Sequence, residues 1–212
     1  MVTKRMNLEE LEKIDSKKMY QTYDKWPEIA KDGFDNDFEK FDAKGIDHIV
    51  FSGMGGSGSI GDVISAILSK EDIHVSNVKG YHLPKTVDSN TLVISTSISG
   101  NTKETLTVLE KAQMTDAKIA VFSSGGMIQK FSKTNNLFFQ EISMMHSPRA
   151  SFPKFLFSIL NILREIIPIK KTDVEEAISS LEITRNTIFS NNLTEDNISL
   201  RLAEWIKDIP LI

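Results

Sequence analysis

Two short stretches hold residues whose types and spacing could do chemistry. In the first, FSGMGGSGSIGD, Gly53, Gly55 and Gly58 form a G-x-G-x-x-G pattern directly after the apolar run DHIV. Glycine lets a backbone approach an anion closely, and the first N–H groups of a following helix, with its dipole, point at negative charge. The second, ISTSISGNTKETL, sets Ser95, Thr96, Ser97, Ser99, Asn101, Thr102 and Thr105 around Gly100. Hydroxyls and backbone N–H groups with little charge make a neutral cradle for a small phosphate. The blander readings are a plain strand-turn-helix and a helix cap. A cap accounts for one or two hydroxyls, not for this density.

A nucleotide fits poorly. Dinucleotide sites carry an acid about twenty positions after the glycines, at the end of the second strand, for the ribose hydroxyls. Here that strand ends SNVKGYHLP, with Lys79 and Gly80 in the acid's place, and Glu71 and Asp72 precede the strand. The pattern G-x-x-x-x-G-K-[ST] is missing as well.

The elements that must position these loops follow from periodicity. From residue 47, short β-branched runs (DHIVFSG, IHVSNV, NTLVISTS, KIAVFSS, NLFFQEIS) alternate with helical patterns. Five strands joined by helical crossovers predict an α/β three-layer sandwich with a five-stranded parallel sheet in the flavodoxin-like order 2-1-3-4-5, flanked by N- and C-terminal helices. In that order the loops after the first and third strands flank the switch point where ligands bind. Residues 7–31 read as helical, with Asn7 and Glu10 at capping-box spacing, Pro27 breaking the run or opening a second helix, and KDGFDND as a turn. After the sheet, Ser151 is placed to cap a helix over SFPKFLFSILNILREII. Its apolar face is so broad that it needs cover from the sheet and from a second subunit. Two more helical segments lead to IPLI, which reads as the start of a buried strand. The expected organisation is a helical segment over 1–45, the sheet domain over 46–168, and a helical linker with the start of a second domain over 169–212.

Composition removes several classes of function. There are no cysteines among the 212 residues, hence no disulfide, thiolate metal site or cysteine nucleophile. Net charge is -4 with the signs interspersed, and no basic cluster suits a nucleic acid. The longest apolar stretch contains Arg164 and Glu165 and is too short to span a bilayer, and the N-terminus lacks a signal's apolar core. A cytoplasmic protein without nucleic-acid or membrane partners is expected. His48, His74 and His82 lack metal-ligand spacing, and Trp26 and Trp205 read as helix packing.

GMGGSGSIGD, STSISGNTKETL and SPRASFPKFL, in this order, resemble the sugar isomerase (SIS) family. The resemblance is nearest to the N-terminal half of its bifunctional phosphoglucose/phosphomannose isomerases and runs from about residue 45 to 165. It implies an aldose-ketose isomerase on glucose 6-phosphate or mannose 6-phosphate and fructose 6-phosphate, working through a cis-enediolate without metal or cofactor, as a homodimer. Carried over by motif, Gly55, Gly56 and Ser57 contact the sugar, Ser97, Ser99 and Thr102 hold its phosphate, and Arg149 of SPRAS faces the reacting carbons. A fixed guanidinium there would stabilise the developing oxyanion.

The same resemblance places the carboxylate base and the ring-opening histidine in a second domain, downstream of IPLI. Asp62, Glu104 and Glu141 are poor substitutes by position, and His146 is the one histidine near the expected site. Two alternatives stand beside this reading. One is a complete small isomerase of the heptose-phosphate type, against which the aliphatic helix SIGDVISAIL argues. The other is a non-catalytic phosphosugar-sensing module.

Overall fold

The computed structural model describes residues 6–207. They divide into two compact units, one of residues 30–170 and one that joins the segments before residue 30 and after residue 170.

The larger unit holds the sheet. β1 (His48–Ser52), β2 (His74–Val78), β3 (Thr91–Ser97), β4 (Lys118–Ser123) and β5 (Phe138–Glu141) pair in the order β2-β1-β3-β4-β5, all parallel, as the sequence predicts. β1 and β3 are buried along their whole length, which their unbroken apolar and β-branched runs require of central strands covered on both faces. β2 and β5 are the partly exposed edges.

Helices line both faces. α5 (Lys103–Ala112) and α6 (Gly126–Thr134) close one side, where Val50, Val93 and Val121 of the strands pack with Leu109, Ala112 and Ile128. α4 (Gly56–Ile67) lies on the other, so close to β1 that a Cβ on Gly61 would meet the Phe51 ring at 2.5 Å. α7 (Phe152–Ile162) packs beside α4, and ten of its eleven residues are buried. The segment 32–41 covers a second side of α7. Phe41 N–H donates to Ile162 O at 3.2 Å, Asn161 Nδ2 to Asn36 O at 2.7 Å, and the Lys154 ammonium pairs with Asp32. This burial within the chain removes the reason for expecting a second subunit over α7.

The same packing corrects the turn expected at KDGFDND. α3 (Trp26–Asp35) continues through it, with Pro27 in its first turn. Gly33 is helical there because the helix presses on α7: a Cβ would sit 2.9 Å from Lys154 O. Ser151 corrects a second expectation. It occupies the N-cap position of α7 but makes no side-chain cap; its hydroxyl donates to Ser147 O at 2.7 Å and accepts Met145 N–H at 2.9 Å.

The smaller unit holds α1 (Leu8–Ile14), α2 (Met19–Asp24), α8 (Lys171–Ile188) and α9 (Ile198–Ile206). The capping box forms, with Glu10 N–H donating to Asn7 Oδ1 at 3.0 Å and Asn7 N–H to Glu10 Oε2 at 3.3 Å. Arg185 Nη1 donates to Asp24 O at 2.7 Å and its guanidinium lies 5.2 Å from the centre of the Phe189 ring. Trp26 packs edge-on against Tyr23, but Trp205 is 71% exposed and does not pack as expected. The strand expected at IPLI lies outside the described residues.

Candidate functional site

Both chemistry-bearing loops emerge at the carboxyl ends of neighbouring strands, β1 and β3, and each opens a helix on an opposite face of the sheet. This is the switch point of the fold. In the first loop, Gly53 and Gly58 are pressed together: a Cβ on Gly58 would sit 2.7 Å from Gly53 O. Gly55 has φ +54 and nothing within 4 Å of where a Cβ would be, as has Gly56. The outer glycines therefore join strand to helix, while the space on the Cβ side of Gly55 and Gly56 is open. α4 starts without a side-chain cap; the Ser57 and Gly58 N–H groups reach back to Met54 O at 3.1 and 3.4 Å, and the helix dipole at this end favours an anion.

In the second loop, Ser97 ends β3 fully buried, and its Oγ accepts the Gly100 N–H at 3.1 Å. Thr102 holds the N-cap position of α5 without capping it; its hydroxyl pairs sideways with Ser97 Oγ at 3.0 Å. A mere cap fails to explain these hydroxyls, and α5, like α4, starts without a side-chain cap. Ser99 is exposed at the loop's tip. The two loops touch through Ser57, whose buried Oγ accepts the Ile98 N–H at 3.4 Å.

Gly55, Gly56, Ser57, Ser97, Ser99 and Thr102 thus come together, with backbone N–H groups and hydroxyls from two helix starts and no charged side chain among them. Ser95, Thr96 and Thr105, read from sequence with this group, lie beneath it instead, fully buried, with no hydrogen-bond partner for their hydroxyls. Ser52, the register neighbour of Ser95, is in the same state.

Arg149 stands apart. It is exposed in the turn between β5 and α7 and, among the described residues, its side chain makes no hydrogen bond to either loop. The carboxylates near the cradle are already engaged. Asp62 bonds Lys79 Nζ at 2.6 Å and Asn77 Nδ2 at 3.1 Å, and Glu141 accepts from Gln129 Nε2 at 2.9 Å. Glu104 sits in the first turn of α5 beside Tyr81, whose pKa is raised by desolvation and then by that carboxylate. No group of three or more histidines and carboxylates able to hold a metal occurs among the described residues.

Sequence reasoning missed one support of the second loop, the stretch Ser123–Ser124–Gly125–Gly126 where β4 passes into α6. It packs into the second loop so tightly that a Cβ on Gly100, at φ +72, would meet Gly125 O at 1.8 Å. The glycine pair before a helix was its available signal.

Residues 44–147 match the model of the SIS domain family. The chain is 33% identical over 175 residues to a bifunctional phosphoglucose/phosphomannose isomerase of Caldicellulosiruptor bescii, covering 80% of this chain and 51% of that protein. It is 32% identical over 167 residues to the protein of the same name from Thermoplasma acidophilum, covering 78% and 49%. The chain therefore spans about half the length of these relatives. Its fold is shared with the C-terminal domain of glucosamine-fructose-6-phosphate aminotransferase from Francisella tularensis, at a TM-score of 0.60 and 16% identity over 90% of this chain and 60% of that one.

Proposed function

The chain belongs to the SIS domain family through residues 44–147, and its relatives support a sugar-phosphate isomerase. From that premise we propose that the two loops hold the phosphate and sugar of a hexose 6-phosphate, and that the chain supplies this half of an enzyme interconverting glucose 6-phosphate or mannose 6-phosphate with fructose 6-phosphate. The Ser57–Ile98 hydrogen bond carries the reading, because it brings two uncapped helix N-termini to one point at the switch between β1 and β3. Ser97, Ser99 and Thr102 hold the phosphate, and Gly55, Gly56 and Ser57 line the sugar.

Moving a proton between C1 and C2 through a cis-enediolate puts charge on the sugar oxygens. Arg149, on its exposed turn, is the cation of SPRAS that swings onto that charge. On the resemblance, the proton-transferring base lies in a second domain and not in this cradle. A homodimer in the cytoplasm remains the assembly and compartment proposed, on the strength of the resemblance alone.

A calorimetric titration with fructose 6-phosphate, and with fructose as the control, tests the proposal. Phosphate-dependent binding at a dissociation constant of about 1 mM or tighter, roughly -4 kcal/mol, supports it. Equal or absent binding of the two sugars refutes the cradle.

A further inference from the structure

The second loop is held in place from outside, and the side chain that ties it down is not among the ligand-facing groups. Asn101 is exposed, yet both ends of its amide are engaged. Nδ2 donates to Ser99 O at 3.0 Å, and Oδ1 accepts the Met127 N–H at 3.2 Å in the first turn of α6. Around it, the Ile128 N–H donates to Gly100 O at 3.0 Å, and Ser124 Oγ donates to Ile98 O at 2.6 Å. On the β4 side, Ser123 Oγ donates to Gly125 O at 3.0 Å and accepts the Gly125 N–H at 3.2 Å, fixing the turn that Gly100 abuts.

α4 and α5 start without side-chain caps, whereas first-turn N–H groups of α6 are spent on carbonyl and amide oxygens of the loop 98–101. A helix start is a row of fixed donors. Here those donors act as a mould that sets where the carbonyls of residues 98–100 point, and so where the Ser99 hydroxyl and the N–H groups on the opposite side of the loop face. Without the Asn101 side chain, Ser99 itself keeps only the 3.5 Å contact between the Asn101 N–H and its Oγ, and the loop is held by its neighbours Ile98 and Gly100.

We infer that Asn101 is a positioning residue, which locks the Ser97–Thr102 loop to the start of α6 and thereby presets the anion cradle. The inference rests on the cradle reading for its effect on ligand, but the lock itself is open to a ligand-free test. Asn101→Ala removes both bonds from an exposed site, so the domain stays folded. Amide hydrogen exchange of Met127 and Gly100 is expected to accelerate at least about tenfold, with Ile94 and Val121 in the core unchanged. Affinity for fructose 6-phosphate is expected to fall about tenfold. Asn101→Asp, which keeps an acceptor for the Met127 N–H but loses the donor to Ser99 O, restores protection at Met127 and part of it at Gly100.

Faster exchange at Met127 with unchanged protection at Gly100 would overturn the inference, because the bond would then exist without holding the loop. Recovery at Met127 but not at Gly100 in Asn101→Asp would do the same. If the wild-type chain binds no fructose 6-phosphate, the functional proposal fails, while exchange at Gly100 still decides whether Asn101 locks the loop.

Discussion

Ser99→Ala separates ligand binding from folding more cleanly than any other substitution in the cradle. Ser99 is exposed at the loop's tip, and its hydroxyl takes part in one contact, 3.5 Å from the Asn101 N–H. That distance is at the weak limit of a hydrogen bond, and the N–H can turn to water once the hydroxyl is gone. Loss of stability should therefore stay within about 0.5 kcal/mol, as for other surface changes. That is a shift in melting temperature of at most about 2 °C for a chain of this size. Loss of a hydrogen bond to a charged phosphate costs about 1.5–3 kcal/mol, or roughly 10- to 150-fold in affinity. The binding effect thus exceeds the folding effect several-fold. Calorimetry with fructose 6-phosphate, alongside a thermal melt of the same sample, reads both. An affinity within twofold of wild type would refute the assignment of Ser99 to the phosphate, and so would a large drop in melting temperature.

Gly100→Ala puts a methyl group against the Gly125 carbonyl at a positive φ, where backbone cannot give way; the variant should lose about 3 kcal/mol or more in a urea melt and bind no phosphosugar by calorimetry. Arg149→Ala should leave fructose 6-phosphate binding to this chain within twofold, since Arg149 bonds neither loop, but weaken an enediolate analogue at least about tenfold in the full-length enzyme. Equal affinity for the analogue would remove that role. His48 is buried at the other end of β1, with Nε2 3.1 Å from Ser76 Oγ and Nδ1 3.3 Å from Thr91 Oγ1. Desolvation, then neighbouring His74, lower its pKa below the ordinary 6.5, against the opposing pull of Asp88 and Asp47. The unfolded chain thus takes up the proton first as pH falls. The stability from neutral His48 is complete above pH 6.5 and declines as pH drops from there through the folded-state value. Urea midpoints at pH 7.5 and 5.5 should differ less in His48→Gln than in wild type.

The sheet was legible because its central strands are unbroken apolar and β-branched runs, and because parallel strands joined by helices admit few orders. Convergence of the two loops followed from that order. The use each hydroxyl is put to did not follow. Whether Thr102 caps α5 or turns sideways depends on Ser97, five residues back and fixed by the sheet. Ser95 and Thr105 read like loop residues, yet the register with β1 and the inward face of α5 carry them below it. The mould after β4 was hidden for a related reason. Gly125 and Gly126 look like an ordinary turn until the approach of Gly100 shows what the missing Gly126 side chain makes room for, since a Cβ there would sit 2.6 Å from Gly100 O. Trp205 was misread because a helix's apolar stripe does not reveal from sequence whether it is covered.

The central claim is that the loops after β1 and β3 form one phosphosugar cradle. The most direct measurement is a titration of the isotope-labelled chain with fructose 6-phosphate, followed by amide chemical shifts. Saturable changes concentrated at Gly55–Ser57 and at Ser97–Thr102, absent with fructose, are the predicted result. Shifts centred elsewhere, or on one loop alone, would contradict it.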